Sequence, residues 1–127
     1  MTILIFSLIF AALLPYIAKI PVAIAMNKEG GYDNNHPRDQ QAKLQGFGAR
    51  ALAAHQNSFE SFIVFSSAIL LAIATETVND TIEILAITHI VARVLYHILY
   101  FINIGTLRSL SWGVGIACSF IIMAQCI

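Results

Sequence analysis

Charge is scarce in this chain. Only 11% of its 127 residues are Asp, Glu, Lys or Arg, and 58% are hydrophobic; a soluble globule carries about 25% charged residues. With a mean hydropathy of +0.78, that scarcity argues against a water-soluble domain and for an integral membrane protein. The few charges also cancel, to a formal net charge of zero, so the basic footprint of a nucleic-acid binder is missing. Cysteine is nearly absent. Cys118 and Cys126 fall in one apolar run, about 12 Å apart along a helix and beyond disulfide reach. Metal motifs are lacking too: His89 and His97 miss the i, i+4 spacing of helical zinc ligands, and no metal is expected. No basic residue precedes the first apolar stretch, which is longer than the 7–15 residues of a signal-peptide core. It reads as a retained helix.

What the chain does have is four apolar windows, each near the ~20 residues a spanning helix needs. They predict helices at about 2–26, 49–75, 81–104 and 107–126. The connections between the last three are short, ETVND (76–80) and IGT (104–106). The expected fold is therefore an all-α integral membrane domain, an up-down bundle of four transmembrane helices covering residues 1–127. Pro15 and Pro21 should bend the first span or mark its end. Residues 27–48, NKEGGYDNNHPRDQQAKLQGFG, form one long polar loop rich in turn formers.

Basic residues sort by side. Lys28, Arg38, Lys43 and Arg50 lie in the long loop or at its edge, and Arg108 follows the third loop, whereas the second loop carries Glu76, Asp80 and Glu83 with no basic residue. The positive-inside rule then places loops 27–48 and 104–106 in the cytoplasm and both termini outside.

Polar residues within the spans also fall on stripes. Arg50, Ala53, Asn57 and Glu60 share one face of the second span, and Arg93, Tyr96 and Tyr100 one face of the third. The two spans are antiparallel, and a rise of about 1.5 Å per residue puts Glu60 and Arg93 both roughly 16 Å deep. Asn57 then matches Tyr96, and Ala53 matches Tyr100. A Glu60–Arg93 ion pair would offset the cost of charge in the bilayer. Two readings stand: polar glue between helices, or the floor of a slot open to the cytoplasm. Arg108, near the positive end of the fourth helix dipole, is either an interface marker or, with the free N–H groups there, an anion site.

These pieces in order resemble the MAPEG family, the membrane-associated proteins in eicosanoid and glutathione metabolism. The match lies in RALAAHQNSFESF (50–62), in Arg93-x-x-Tyr96-x-x-x-Tyr100, and in LRS (107–109); GGYDNNHPR (30–38) is similar to the first loop of bacterial members. The resemblance implies a homotrimer in a bacterial inner membrane, surrounded by lipid. It further implies that glutathione, the thiol co-substrate, binds between subunits on the cytoplasmic side. Asn57, Glu60, Arg93, Tyr96 and Tyr100 would hold it, with Arg50 and His55 near its carboxylates. Arg108 would activate the thiol, with Ser109 a weaker candidate. A lipophilic small-molecule substrate would approach from the bilayer beside the fourth helix. The implied activity is that of a glutathione transferase or peroxidase acting on lipophilic electrophiles or lipid hydroperoxides. Several members carry a further arginine where this chain has Ala53, and some a tyrosine near its Trp112. Ala53 motivates the alternative of a non-enzymatic membrane subunit that binds lipid or a partner protein.

Overall fold

The computed structural model describes all 127 residues and is entirely helical. Helix α1 spans Thr2–Lys28, α2 Pro37–Ala42, α3 Phe47–Ala74, α4 Asp80–Phe101 and α5 Gly105–Ala124. All but α2 are long and apolar enough to cross a membrane.

Local chemistry sets the helix ends. The Asn79 side chain accepts the Ile82 N–H at 3.0 Å and caps α4, and Asp80 and Glu83 occupy its first turn, where the helix dipole favours acids. Gly46 enters α3 with φ of 56°, a conformation costly for a residue with a Cβ. Asn103, at φ of 62°, turns the chain from α4 into α5; asparagine tolerates that region better than most residues. This turn corrects the expected boundary. Helix α4 stops at Phe101 and α5 starts at Gly105, so the connection is 102–104 rather than 104–106. Pro15 and Pro21 do not end α1; both lie inside a helix that runs on to Lys28.

The surface is that of a bilayer protein. Phe6, Ile63, Ile84 and Leu110 are each more than 60% exposed, which would be an aggregation hazard in water. Inside, the bundle is banded. One apolar cluster joins Leu4, Phe65, Ile69, Ile82 and Ile122, and a second joins Val22, Met26, Leu44 and Ala51 at the other end. Between them lies a buried polar band of Ser58, His89, Arg93, His97, Ser111 and Ser119. Ser58 Oγ meets His97 Nε2 at 2.8 Å, and the Phe65 ring stacks on His89 with centroids 3.9 Å apart. These two contacts give the α3–α4 register, close to the one expected from depth.

The long connection is built rather than slack. Gln40, on α2, donates to the carbonyls of Met26 at 3.0 Å and Gly31 at 2.8 Å and accepts the Asp33 N–H at 2.9 Å. Pro37 at the first helical position starts this short helix, a signal missed when 27–48 is read as one polar loop. Gln40→Ala removes three hydrogen bonds of about 0.5–1.5 kcal/mol each. We expect cleavage between residues 29 and 43 to become at least about tenfold faster in limited proteolysis, a change of about 1.4 kcal/mol in local opening. The four long helices should keep their circular dichroism.

Candidate functional site

Arg93 is the centre of the site. It is 2% exposed, and α5 packs beside it at Gly115, where a Cβ would make ordinary contact with Arg93 Cδ at 3.5 Å. Both of its hydrogen bonds come from Nη2, to Asn57 Oδ1 at 2.8 Å and the Asn57 carbonyl at 3.4 Å. Its Nε is buried without a partner. The guanidinium lies over the Tyr96 ring, 4.2 Å from the centroid.

The expected Glu60–Arg93 ion pair does not form. The only ion pairs in the molecule are Met1 with Glu83, across the starts of α1 and α4, and His36 with Asp33. Asn57 intervenes: its Nδ2 donates to Glu60 Oε2 at 2.7 Å while its Oδ1 accepts from Arg93. The helices are near their expected register. The Arg93 side chain, however, extends along Tyr96 and reaches a turn shallower than Glu60, which remains exposed.

Tyr100 and Arg108 continue the stripe toward the end of α4. Tyr96 and Tyr100 pack edge to face with centroids 5.5 Å apart, and Arg108 lies 4.3 Å over the Tyr100 ring. Guanidinium stacked on an aromatic face keeps its N–H groups in the plane, free for a carboxylate or thiolate. Arg108 is one turn inside α5 rather than at its start. Its own N–H already bonds the Ile104 carbonyl at 3.1 Å, so the open backbone donors belong to Gly105, Thr106 and Leu107.

Three expected residues stand apart. His55 is two positions from Asn57, about 200° around a helix, so it cannot share that face. Its Nδ1 bonds the Pro15 carbonyl on α1 at 2.8 Å, and its ring packs against Phe59. Arg50 Nη2 reaches the Phe101 carbonyl at 3.5 Å, at the negative end of α4, where a cation is favourable; its Nε is buried without a partner. Ser109 is exposed on α5, one position, about 100°, from Arg108. The buried serine there is Ser111, which donates to the Ala92 carbonyl at 2.6 Å and fastens α5 to α4.

A cleft of about 140 Å³ opens over Arg93, lined by Asn57, Glu60, Ser61, Val64, Trp112 and Ile116. Trp112 closes its α5 side. Its i, i+4 spacing from Arg108 is the signal that could have put it there. The cleft is small beside the roughly 300–1,000 Å³ of ordinary ligand pockets, so a single copy holds only part of a site for a tripeptide.

Fold and site together define a polytopic helical membrane protein with a small polar cleft, lined by Arg93, Asn57 and Glu60, set within the span. The chain belongs to the MAPEG family, whose family model matches residues 3–127. It is thus a membrane protein of the glutathione and eicosanoid metabolism family. No curated protein and no solved structure matches it.

Proposed function

We propose that this protein is a membrane-bound, glutathione-dependent transferase or peroxidase acting on lipophilic electrophiles or lipid hydroperoxides, a detoxification activity. One observation carries the reading: a guanidinium 2% exposed, with no carboxylate within 4.0 Å and a buried, unbonded Nε. A buried charge with no direct counter-charge, Glu60 reaching it only through Asn57, is costly. An anionic ligand offsets that cost, and glutathione is an anion with two carboxylates. The donors near the cleft fit it. Arg93 and Arg108 present unpaired guanidinium groups, and the hydroxyls of Tyr96 and Tyr100 have no partner in the chain. Exposed Glu60, tied to Asn57, would receive the amine.

The residues divide the work. Arg93, with Asn57 and Tyr96, would bind and orient glutathione. Arg108 would face the sulfur, holding it as thiolate beside the open N–H groups at the start of α5. Trp112 and the apolar face of α5 border the bilayer, from which the lipophilic partner would arrive. The functional assembly would be a homotrimer, with α3 and α5 starting at the cytoplasmic side and both termini outside.

The test is direct. Glutathione added to the purified protein in detergent should produce the ultraviolet absorbance of a thiolate below pH 8 and raise the melting temperature. Conjugation of a generic aryl halide and reduction of a hydroperoxide, assayed side by side, then separate transferase from peroxidase. Glutathione that changes neither absorbance nor melting would sink the proposal and favour the non-enzymatic subunit.

A further inference from the structure

Asn57 stands between two opposite charges. Its Oδ1 accepts from Arg93 Nη2 at 2.8 Å, and its Nδ2 donates to Glu60 Oε2 at 2.7 Å. Among short side chains, only the carboxamide carries an acceptor and a donor on separate atoms. The charges also fix which way it points. Turned over, its NH₂ would meet the guanidinium and its oxygen the carboxylate, and neither contact is a hydrogen bond.

The geometry holds those charges apart. Glu60 follows Asn57 by one turn of α3. Arg93 comes from α4, with its guanidinium resting on the Tyr96 ring, 4.2 Å from the centroid. A second bond, from Nη2 to the Asn57 carbonyl at 3.4 Å, keeps the guanidinium at Asn57. The two side-chain bonds and the roughly 2.3 Å across an amide put Glu60 Oε2 within about 8 Å of Arg93 Nη2. Even so, they form no ion pair.

Both groups line one cleft, and Glu60 is exposed there. Without the amide between them they would close up, because their attraction grows as the distance shrinks and is strong where water is scarce. Each would then cancel the other, and the cleft would offer a ligand neither charge. For fastening α3 to α4 the direct pair would serve at least as well. The amide adds something only where both charges are to stay available. We infer that Asn57 is a spacer that keeps Arg93 and Glu60 from neutralising each other. It is a positioning residue, acting through those two side chains. Its consequence for binding rests on the glutathione reading; the spacing itself belongs to the ligand-free chain.

Two measurements on the full-length protein in detergent test it. The first needs no ligand. In the wild type, Glu60→Gln should move the melting temperature by no more than about 1 °C, because a glutamine oxygen still accepts from Asn57. In Asn57→Ala, where Glu60 closes onto Arg93, the same change strips a buried cation of its partner and should lower melting by at least about 4 °C. The second measurement follows glutathione affinity by calorimetry. Asn57→Ala should weaken binding at least about tenfold, and adding Glu60→Gln should win back at least about threefold, since Arg93 is free again. Were Asn57 no more than a direct contact, the added change would weaken binding further. If Asn57→Ala does not assemble, Asn57→Ser takes its place, its single hydroxyl being unable to span the two charges. A melting change from Glu60→Gln that is equal in both backgrounds overturns the spacer and leaves the glutathione reading standing. So does a double variant that binds no tighter than Asn57→Ala. Wild-type protein that binds no glutathione overturns that reading, and the melting comparison alone then decides the spacer.

Discussion

Arg93→Met should abolish detectable glutathione binding while leaving the ligand-free protein as stable as before, or more so. The two effects share one cause. In the free protein Arg93 is a buried cation bonded only to neutral Asn57, with Nε unsatisfied. An apolar side chain of similar length removes the desolvation penalty, and such replacements of buried charge are often neutral or stabilising by about 1–4 kcal/mol. The ligand loses its main counter-charge, and each charged hydrogen bond forfeited is worth about 1.5–3 kcal/mol, so two together cost affinity by about 10²–10⁴-fold. Thermal melting with and without glutathione separates the terms: the variant should melt at or above the wild-type temperature and show no shift on adding ligand. A variant that melts far below wild type would instead make Arg93 a structural strut, with the polar band acting as glue between α3, α4 and α5. Arg93→Lys should fall between, because a point charge cannot fork to a carboxylate.

The second large effect falls on Arg108. A free thiol titrates near 8.5, and lowering it to about 6.5 takes roughly 2.7 kcal/mol of preferential thiolate stabilisation. A guanidinium poised over Tyr100, beside the open donors of α5, is the group on hand to supply it. With Arg108→Ala the bound thiol should return toward 8.5. The thiolate share at neutral pH then drops from about three quarters to about 3%, and the rate falls at least about 25-fold. The sign of the pH effect is fixed: activity rises with pH as the thiol deprotonates, so losing Arg108 moves the rising limb about two pH units higher. Affinity should change less than rate. Thiolate absorbance followed across pH 5–9 in wild type and variant checks this. A limb that stays in place would show that the thiol is activated elsewhere, with the backbone N–H groups of Gly105–Leu107 the next suspects.

Much of this was legible in the order of residues, for reasons that can be traced. Asn57 and Glu60 share a helix face by spacing alone, and so do Arg93, Tyr96 and Tyr100. The antiparallel register of α3 and α4 followed from depth, because the rise per residue is constant and depth can be counted in both from one side, where α3 begins and α4 ends. Other features were not legible. His55 was placed near the glutathione carboxylates by the family resemblance, whereas it lies two positions, about 200°, from Asn57 on the helix and bonds the Pro15 carbonyl on α1. The α2 turn was hidden because six residues carry no periodicity of their own; its order comes from Gln40 bridging to Met26 and Gly31. A start for α5 two residues earlier than expected, at Gly105 rather than 107, moved Arg108 to the fourth residue of its helix.

By itself, the sequence determined that the chain spans the membrane four times and which polar groups enter the span. Hydropathy and the 3.6-residue repeat are local properties, and the bilayer forces each segment to satisfy its own backbone. Only the tertiary structure decided which of those groups meet. Arg93 could have joined Glu60 or Asn57, since both lie within the sweep of its side chain. The arrangement shows which won: Arg93 donates to Asn57 Oδ1 at 2.8 Å, with its guanidinium 4.2 Å over the Tyr96 ring. It left the guanidinium with no carboxylate in direct contact, Glu60 reaching it only through Asn57, and that is the physical basis for the proposed function.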